Sequence, residues 1–332
     1  GRYEFLRRGW GPLEEGDQDL PRQVSGDNPG ASIPELYENG KSVSYLVTDH
    51  MCLWQRGSGN YHMGYTGFDF IRGNQEDHWF TGPLNSNEFF CPERERHTKL
   101  ERYFRNIHSY RQSADDYCCA RVFRRAAEWL TTNRGYRDFY LHIDSYDPHE
   151  PWDPPEELVR MYDPKGYSVD EWWSHPPYGP WRDGMNEEQF MSFRARYAAK
   201  VTLVDRWLGH FLDTLDELDI WKDTLLIFTS DHGTFNGDYG LIGKDQTHEF
   251  ASKSHIPFIM AHPECGAGER RDQLVQLVDI YPTVLSAMNR EIPPERHGVD
   301  LLPALENRYT PTRDFAIYGK WGSSISITDG RW

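Results

Sequence analysis

Residues 224–244 read TLLIFTSDHGTFNGDYGLIGK. The apolar run at 225–228 is typical of a strand that is buried on both faces of a sheet, and Asp231, His232 and Gly233 follow it. Open α/β sheets bind ligands at this carboxyl edge. A carboxylate and an imidazole at one strand end can bind a single divalent cation, so we expect Asp231 and His232 to be metal ligands. The alternative is that both residues merely open a turn.

A lysine follows this motif in a glycine-rich return. Lys244 lies 13 residues after Asp231. Its ammonium group is a compact positive charge that suits an anionic ester held beside a metal ion. We therefore expect Lys244 to contact substrate; otherwise it is a solvated surface lysine.

Composition limits the class of protein. The chain has 332 residues, of which 38% are hydrophobic, so it can fill one large α/β domain or two smaller ones. Its formal charge of −16 repels a phosphate backbone, which makes nucleic acid an unfavoured partner. No apolar run in the sequence approaches the roughly 20 residues that span a bilayer. The five cysteines are odd in number and predict neither a disulfide framework nor a zinc module.

Strand and helix patterns alternate along the chain. We expect strands at 43–48, 139–143, 225–228 and 255–260, and helices at 116–132, 186–218 and 277–288. This alternation favours an α/β fold with a mostly parallel sheet and helices on both faces.

Two further strand ends carry polar groups. Thr48 and His50 lie at the end of the first strand, and His149 lies in the proline-rich loop DSYDPHEPWDPP at 144–155. Because the carboxyl ends of parallel strands meet at one edge, we expect these residues to share a cavity with Asp231 and Lys244. A metal ion, an imidazole and a lysine suit hydrolysis of a sulfate or phosphate ester, since each neutralises charge in the transition state.

Four motifs carry a family resemblance. They are Asp-Pro-His-Glu-Pro at 147–151, Ser-Asp-His-Gly at 230–233, Gly-Leu-Ile-Gly-Lys at 240–244 and Leu-Val-Asp-Ile-Tyr-Pro-Thr at 277–283. Together they resemble the sulfatases of the alkaline phosphatase superfamily. The resemblance implies an alkaline phosphatase-like fold, with a sulfatase-like core at 1–310 and the start of a small C-terminal β subdomain at 311–332.

The resemblance also implies roles for single residues. Asp231 and His232 match two calcium ligands of the family, and Lys244 matches the lysine that contacts the sulfate and the leaving-group oxygen. His149 matches the histidine that contacts the sulfate and assists departure of the alcohol.

Two positions match the family less closely. His50 lies where many relatives have the histidine of a Lys-x-His pair, which implies a catalytic role; a lone histidine after a strand is equally common as a surface or core residue. Thr48 occupies the place of the lysine, which leaves a hydroxyl contact to substrate in place of the charged one.

Two family features are absent from the sequence. The first is an early strand with paired aspartates. The second is the Cys/Ser-x-Pro-x-Arg signature, whose first residue becomes the nucleophile formylglycine. Cys91 does not match this signature, because the proline follows it one position too early. We expect a missing N-terminal segment to supply the formylglycine and the remaining calcium ligands, so that this chain alone is inactive. Any signal for a periplasmic or secreted location would lie in that segment.

Three functions remain open at this point. The favoured one is hydrolysis of a small-molecule or glycan sulfate ester, and the others are a phosphodiesterase or phosphonate monoester hydrolase, and a non-catalytic fragment. Aromatic residues near the loops could line a sugar pocket, but we favour a structural role for them: Trp152, Trp172, Trp173 and Trp181. His248 and Glu249 are expected at the rim of the loop after Lys244.

Overall fold

The computed structural model describes residues 32–37, 42–55, 60–84, 98–136, 138–163, 165–166, 178–244, 248–266, 268–294, 296–307, 310–320 and 322–331. Cys91, Trp172 and Trp173 lie outside these residues. The described residues from 34 to 218 form one compact unit, and those from 219 onward belong to a second. The predicted division into 1–310 and 311–332 stays a prediction.

A parallel sheet lies at the centre of the unit formed by residues 34–218. Strand β1 (Val43–Thr48) pairs in parallel with β2 (Gly67–Phe70) on one side and with β3 (Phe139–Asp144) on the other. The register places Thr48 opposite both Phe70 and Asp144. The polar residues at the ends of β1 and β3 therefore lie side by side, as the sequence predicts for parallel strands.

Helices flank this sheet. Their bounds are α1 (Thr98–Tyr110), α2 (Cys118–Thr132), α3 (Glu156–Tyr162) and α4 (Glu187–Glu217), with a two-residue strand β4 (Gly179–Pro180) and short 3-10 helices at Pro34–Tyr37, Met51–Trp54, Tyr61–Gly64, Ala114–Asp116 and Trp181–Asp183. Helix α2 packs on the sheet through Trp129, whose ring stacks on Tyr45 with centroids 5.1 Å apart. In the part of the chain that the structure describes, no helix is both long and apolar enough to cross a membrane.

Helix α4 organises the core of this unit. It begins at a capping box in which the Asn186 side chain accepts the Gln189 N–H and the Gln189 side chain accepts the Asn186 N–H. Its buried face packs against Tyr117, α2 and α3 in a cluster made of Tyr117, Cys119, Ala120, Leu158, Val159, Ala195, Ala199 and Leu203. Val201, four residues after Tyr197, lies outside this buried face and is 40% exposed. On the buried face of α4, the small side chains of Ala195 and Ala199 let the neighbouring helices approach closely.

The unit from residue 219 onward contains strand pairs. Its elements are β5 (Leu226–Thr229), β6 (Phe235–Asn236), β7 (Leu241–Gly243), β8 (Phe258–Ala261), β9 (Ala316–Lys320), β10 (Ser324–Thr328), α5 (Ala251–Ser254), α6 (Ile280–Ala287) and α7 (Leu302–Glu306), with 3-10 helices at Trp221–Asp223, Asp238–Gly240 and Leu277–Asp279. The pairs β5–β8, β6–β7 and β9–β10 are antiparallel. All four residues of β5 are half-buried, so the expected burial on both faces is not observed. In the described residues β5 and β8 form a two-stranded antiparallel ladder.

Candidate active site

Thr48 connects the ends of two strands. It is fully buried, and its hydroxyl donates to Asp144 Oδ2 at 2.8 Å while accepting the backbone N–H of His50 at 2.9 Å. The hydroxyl therefore fixes the turn that carries His50. A contact of Thr48 with substrate stays a prediction.

His50 forms an ion pair with Asp144. Its Nδ1 lies 3.5 Å from Asp144 Oδ2, and its ring packs against Tyr146 with centroids 4.9 Å apart. Burial lowers the pKa of His50, but hydrogen bonds to Asp144 and Cys52 outweigh this effect and raise it to about 10. His50 is thus an imidazolium at neutral pH, which suits it to hold an anion and not to act as a base. Asp144, which the sequence analysis did not single out, keeps that charge in place.

Both ring nitrogens of His149 have hydrogen-bonding partners in the loop after β3. Its Nδ1 lies 2.6 Å from the carbonyl oxygen of Glu150, and its Nε2 lies 3.3 Å from the hydroxyl of Tyr146. Gln75 Nε2 lies 3.1 Å from Nδ1 and also donates to the Glu150 carbonyl. We assign the proton on Nδ1 to the bond with this carbonyl, which leaves Nε2 as the atom available for proton transfer.

Asp49 connects the end of β1 to the start of this loop. Its carboxylate is fully buried and accepts the backbone N–H of Tyr146 at 2.6 Å and the side-chain amide of Asn74 at 2.7 Å. Burial and the neighbouring carboxylate of Asp147 raise the pKa of Asp49 above its usual range. The end of β1 and the His149 loop are therefore joined by a buried carboxyl group, which the sequence analysis did not identify.

The remaining residues of the loop have structural contacts. Asp147 is buried, with Oδ1 3.1 Å from Lys200 Nζ, and this ion pair fixes the loop to α4. Trp152 is fully buried and donates from Nε1 to the Pro148 carbonyl at 2.9 Å. Trp181 stacks on Phe190 with centroids 4.2 Å apart. The structural role predicted for Trp152 and Trp181 is confirmed.

Asp231 and His232 lie together after β5 in the second unit. Nε2 of His232 is 3.5 Å from Asp231 Oδ2, and the His232 backbone N–H donates to Asp231 Oδ1 at 2.7 Å. Nδ1 of His232 lies 2.9 Å from the Gly233 carbonyl oxygen, which assigns its proton to Nδ1 and leaves Nε2 with a lone pair. An oxygen and a nitrogen donor therefore occur within reach of one cation.

This pair does not make a calcium site by itself. Calcium takes six to eight oxygen ligands. The described residues contain no group of three or more His, Cys, Asp or Glu side chains placed to hold a metal ion. The side chain of Asp231 is 82% exposed, as expected for a carboxylate without further ligands around it. Calcium binding at this pair would need further oxygen ligands.

The β6–β7 hairpin returns Lys244 toward this pair. Phe235, three residues after His232, lies opposite Gly243, the residue before Lys244. Paired strands are about 4.8 Å apart, so the residue before Lys244 lies close to the chain that follows His232. Beyond the lysine, the ring of His248 stacks on Phe250 and Glu249 forms an ion pair with Lys253 at 3.0 Å.

The predicted site residues thus occur in two groups. The first unit holds Thr48, His50 and His149. The second unit holds Asp231, His232 and Lys244. Convergence of the two groups on one cavity stays a prediction.

The Asp231–His232 turn requires glycine at position 233. The Gly233 N–H donates to the Lys253 carbonyl at 2.7 Å, and a Cβ at this position would lie 2.2 Å from the backbone oxygen of Ser252. We expect Gly233→Ala to lower the free energy of unfolding by about 2–3 kcal/mol, because backbone and not a flexible side chain must move. Denaturant unfolding of the full-length protein measures this.

Gly209 provides the matched control. It lies within α4, and an added Cβ would meet no atom within 4 Å. Gly209→Ala should be neutral or stabilising by up to about 1 kcal/mol, since alanine is the better helix former. Equal effects of the two substitutions would contradict the steric argument.

Comparison of the structure with solved structures defines the fold class. The phosphonate monoester hydrolase of Agrobacterium radiobacter aligns with a TM-score of 0.60 at 21% identity, over 86% of this chain and 64% of that protein. A structure described as BT4656 in complex with its substrate D-glucosamine-2-N,6-O-disulfate aligns with a TM-score of 0.53 at 17% identity, over 64% of this chain and 59% of that one. The chain has the alkaline phosphatase-like α/β fold.

Comparison of the sequence defines the family. The Sulfatase family model matches residues 28–290. The chain belongs to the sulfatase family. It is 27% identical to an arylsulfatase of Clostridium perfringens over an alignment of 219 residues. This alignment covers 60% of this chain and 44% of that enzyme. The chain therefore spans less than half the length of this curated relative.

Proposed function

We propose that this chain is the part of a sulfuric ester hydrolase that binds the sulfate group and protonates the leaving alcohol. One observation carries the proposal, namely that the family match at 28–290 contains all six predicted site residues. The substrate class is a small-molecule or glycan sulfate. A relative that is an arylsulfatase and a neighbour whose substrate is a glucosamine disulfate support this class.

The charges of the described residues suit this chemistry. His50 supplies a permanent positive charge for the sulfate oxygens because Asp144 holds it as an imidazolium. Lys244 supplies a second positive charge for the same anion.

His149 is the proposed general acid. Its Nδ1 lies 2.6 Å from the Glu150 carbonyl oxygen and 3.4 Å from the Glu150 carboxylate, and its Nε2 lies near the Tyr146 hydroxyl. A proton on Nε2 can then pass to the oxygen of the departing alcohol.

Calcium and formylglycine are part of the proposal. Asp231 and His232 would supply two of the calcium ligands, and a bound calcium ion would neutralise charge on the ester. The Cys/Ser-x-Pro-x-Arg signature does not occur in the sequence, so a formylglycine nucleophile would have to come from outside these 332 residues. We therefore expect no turnover of 4-nitrophenyl sulfate by the purified 332-residue chain, and measurable turnover would refute this part.

Parallel assays test the substrate class. We expect the full-length protein to show a kcat/KM for 4-nitrophenyl sulfate at least about tenfold above those for 4-nitrophenyl phosphate and 4-nitrophenyl phenylphosphonate, because a site of the sulfatase family should bind the transition state of sulfate ester cleavage more tightly than that of a phosphorus ester. The likeness to a phosphonate monoester hydrolase makes that activity the alternative to test. A higher kcat/KM for either phosphorus ester would establish the alternative.

A further inference from the structure

A buried lysine lies beneath the His149 loop and has no part in the proposed chemistry. Lys200, near the middle of α4, is 2% exposed, and its Nζ lies 3.1 Å from Asp147 Oδ1 and 3.1 Å from Asp153 Oδ1. Burial lowers the pKa of Lys200, but these two carboxylates raise it well above its usual range, so the group stays an ammonium ion. A lysine is almost never fully buried unless it is paired in this way.

The two carboxylates bracket the segment that carries His149. Residues 148–152 lie between Asp147 and Asp153, so one ammonium ion binds both ends of this segment. Within the segment, Trp152 donates to the Pro148 carbonyl and its ring packs against Phe193 and Tyr197 of the helix that carries Lys200. The segment therefore forms a closed loop on the surface of α4.

Asp153 is held independently of Lys200. Its Oδ2 accepts hydrogen bonds from Arg111 at 2.5 Å and from the hydroxyl of Tyr103 at 2.7 Å, and both Asp153 and Tyr103 are buried. Asp153 thus has a fixed position in the core, and Lys200 extends this rigid network to Asp147. Because His149 is two residues after Asp147, the position of its ring depends on that link.

We propose that Lys200 is a positioning residue for His149, which acts by tying Asp147 and Asp153 together beneath the loop. The inference rests on the proposed function in so far as His149 is the general acid. It adds a requirement at a buried position whose ion pairs are with Asp147 and Asp153.

The first experiment compares aryl sulfates with leaving groups of different acidity in the full-length protein. In Lys200→Met, kcat for phenyl sulfate should fall roughly 10- to 100-fold, because a displacement of about 1 Å disturbs proton transfer. The loss should be smaller for 4-nitrophenyl sulfate, whose leaving group needs little protonation, and KM should change little. Lys200→Arg keeps the charge and should recover part of the rate.

Two further variants complete this experiment. Asp147→Asn is isosteric and should show the same dependence on leaving group, which keeps the test decisive if Lys200→Met does not fold. Lys222→Met breaks an exposed lysine pair with Asp219 and should leave every rate unchanged. A uniform loss across the aryl sulfates in both Lys200→Met and Asp147→Asn would overturn the positioning role.

The second experiment does not depend on sulfatase activity. Hydrogen exchange measured on peptides that span 145–155 should be about tenfold faster or more in Lys200→Met and Asp147→Asn than in the wild type, with peptides from 226–261 unchanged. Unchanged exchange in the loop would overturn the inference. If the wild type cleaves phosphorus esters and not sulfates, the proposed function fails, and this exchange result alone decides whether Lys200 fixes the loop.

Discussion

Replacing His149 by alanine in the full-length protein is expected to lower kcat for phenyl sulfate by a factor of about 10²–10⁴, the usual contribution of a general acid. The structure supports this expectation because Nδ1 of His149 is held by the Glu150 carbonyl at 2.6 Å and Nε2 is left for proton transfer. No other imidazole of the described loop residues 144–155 could replace it. Steady-state kinetics at saturating substrate measure the effect.

The leaving group distinguishes proton donation from a loss of folding. With 4-nitrophenyl sulfate the alcohol leaves without assistance, so His149→Ala should cost far less than it does with phenyl sulfate. His255→Asn serves as the matched control, since His255 is an exposed histidine to which no role is assigned. Equal losses on both substrates would show that His149 binds sulfate without donating a proton.

Local signals account for the elements that the sequence predicted well. Helix α4 was expected at 186–218 and is observed at Glu187–Glu217, with Asn186 as its cap. β1 was expected and observed over the same six residues. Both depend on periodicity and capping within one segment, which a single sequence contains.

Contacts between distant segments were not predictable in the same way. The antiparallel pairing of β5 with β8 joins residues about 30 positions apart and leaves no local pattern. Asp144 is the last residue of β3, and only the register with β1 reveals that it holds His50. The sequence identified His50 as a candidate, but not the carboxylate that sets its charge.

The position of Lys200 in the helix pattern is a sign of its burial that the sequence analysis did not use. It lies seven residues after Phe193 and three after Tyr197, on the apolar side of a helix. A lysine at such a position indicates either a break in the apolar face or a buried ion pair. The aspartates of the proline-rich loop were the candidate partners, but their distance in sequence hid the pairing.

The second large effect is expected from Asp153→Asn. This substitution removes the charge that pairs with Arg111 and Lys200 while keeping the side-chain shape, and leaves the half-buried Arg111 and the buried Lys200 with one fewer anion. Breaking a buried ion pair on one side costs about 3–5 kcal/mol, so the unfolding midpoint in denaturant should fall markedly at pH 7. Asp219→Asn, which removes the exposed partner of Lys222, should give no measurable change.

The pH dependence of this effect follows from the pKa of Asp153. Burial raises this pKa, but Arg111 and Lys200 outweigh burial and lower it to about 2, below the value of about 3.9 for an unfolded chain. A carboxyl group whose pKa is lower in the folded state stabilises the fold above about pH 4, and that stabilisation disappears as the pH falls toward 2. The difference in unfolding free energy between wild type and Asp153→Asn should therefore be constant above pH 5 and shrink below pH 4. A difference that stays the same down to pH 2 would show that the cost of the substitution comes from packing and not from the charge of Asp153.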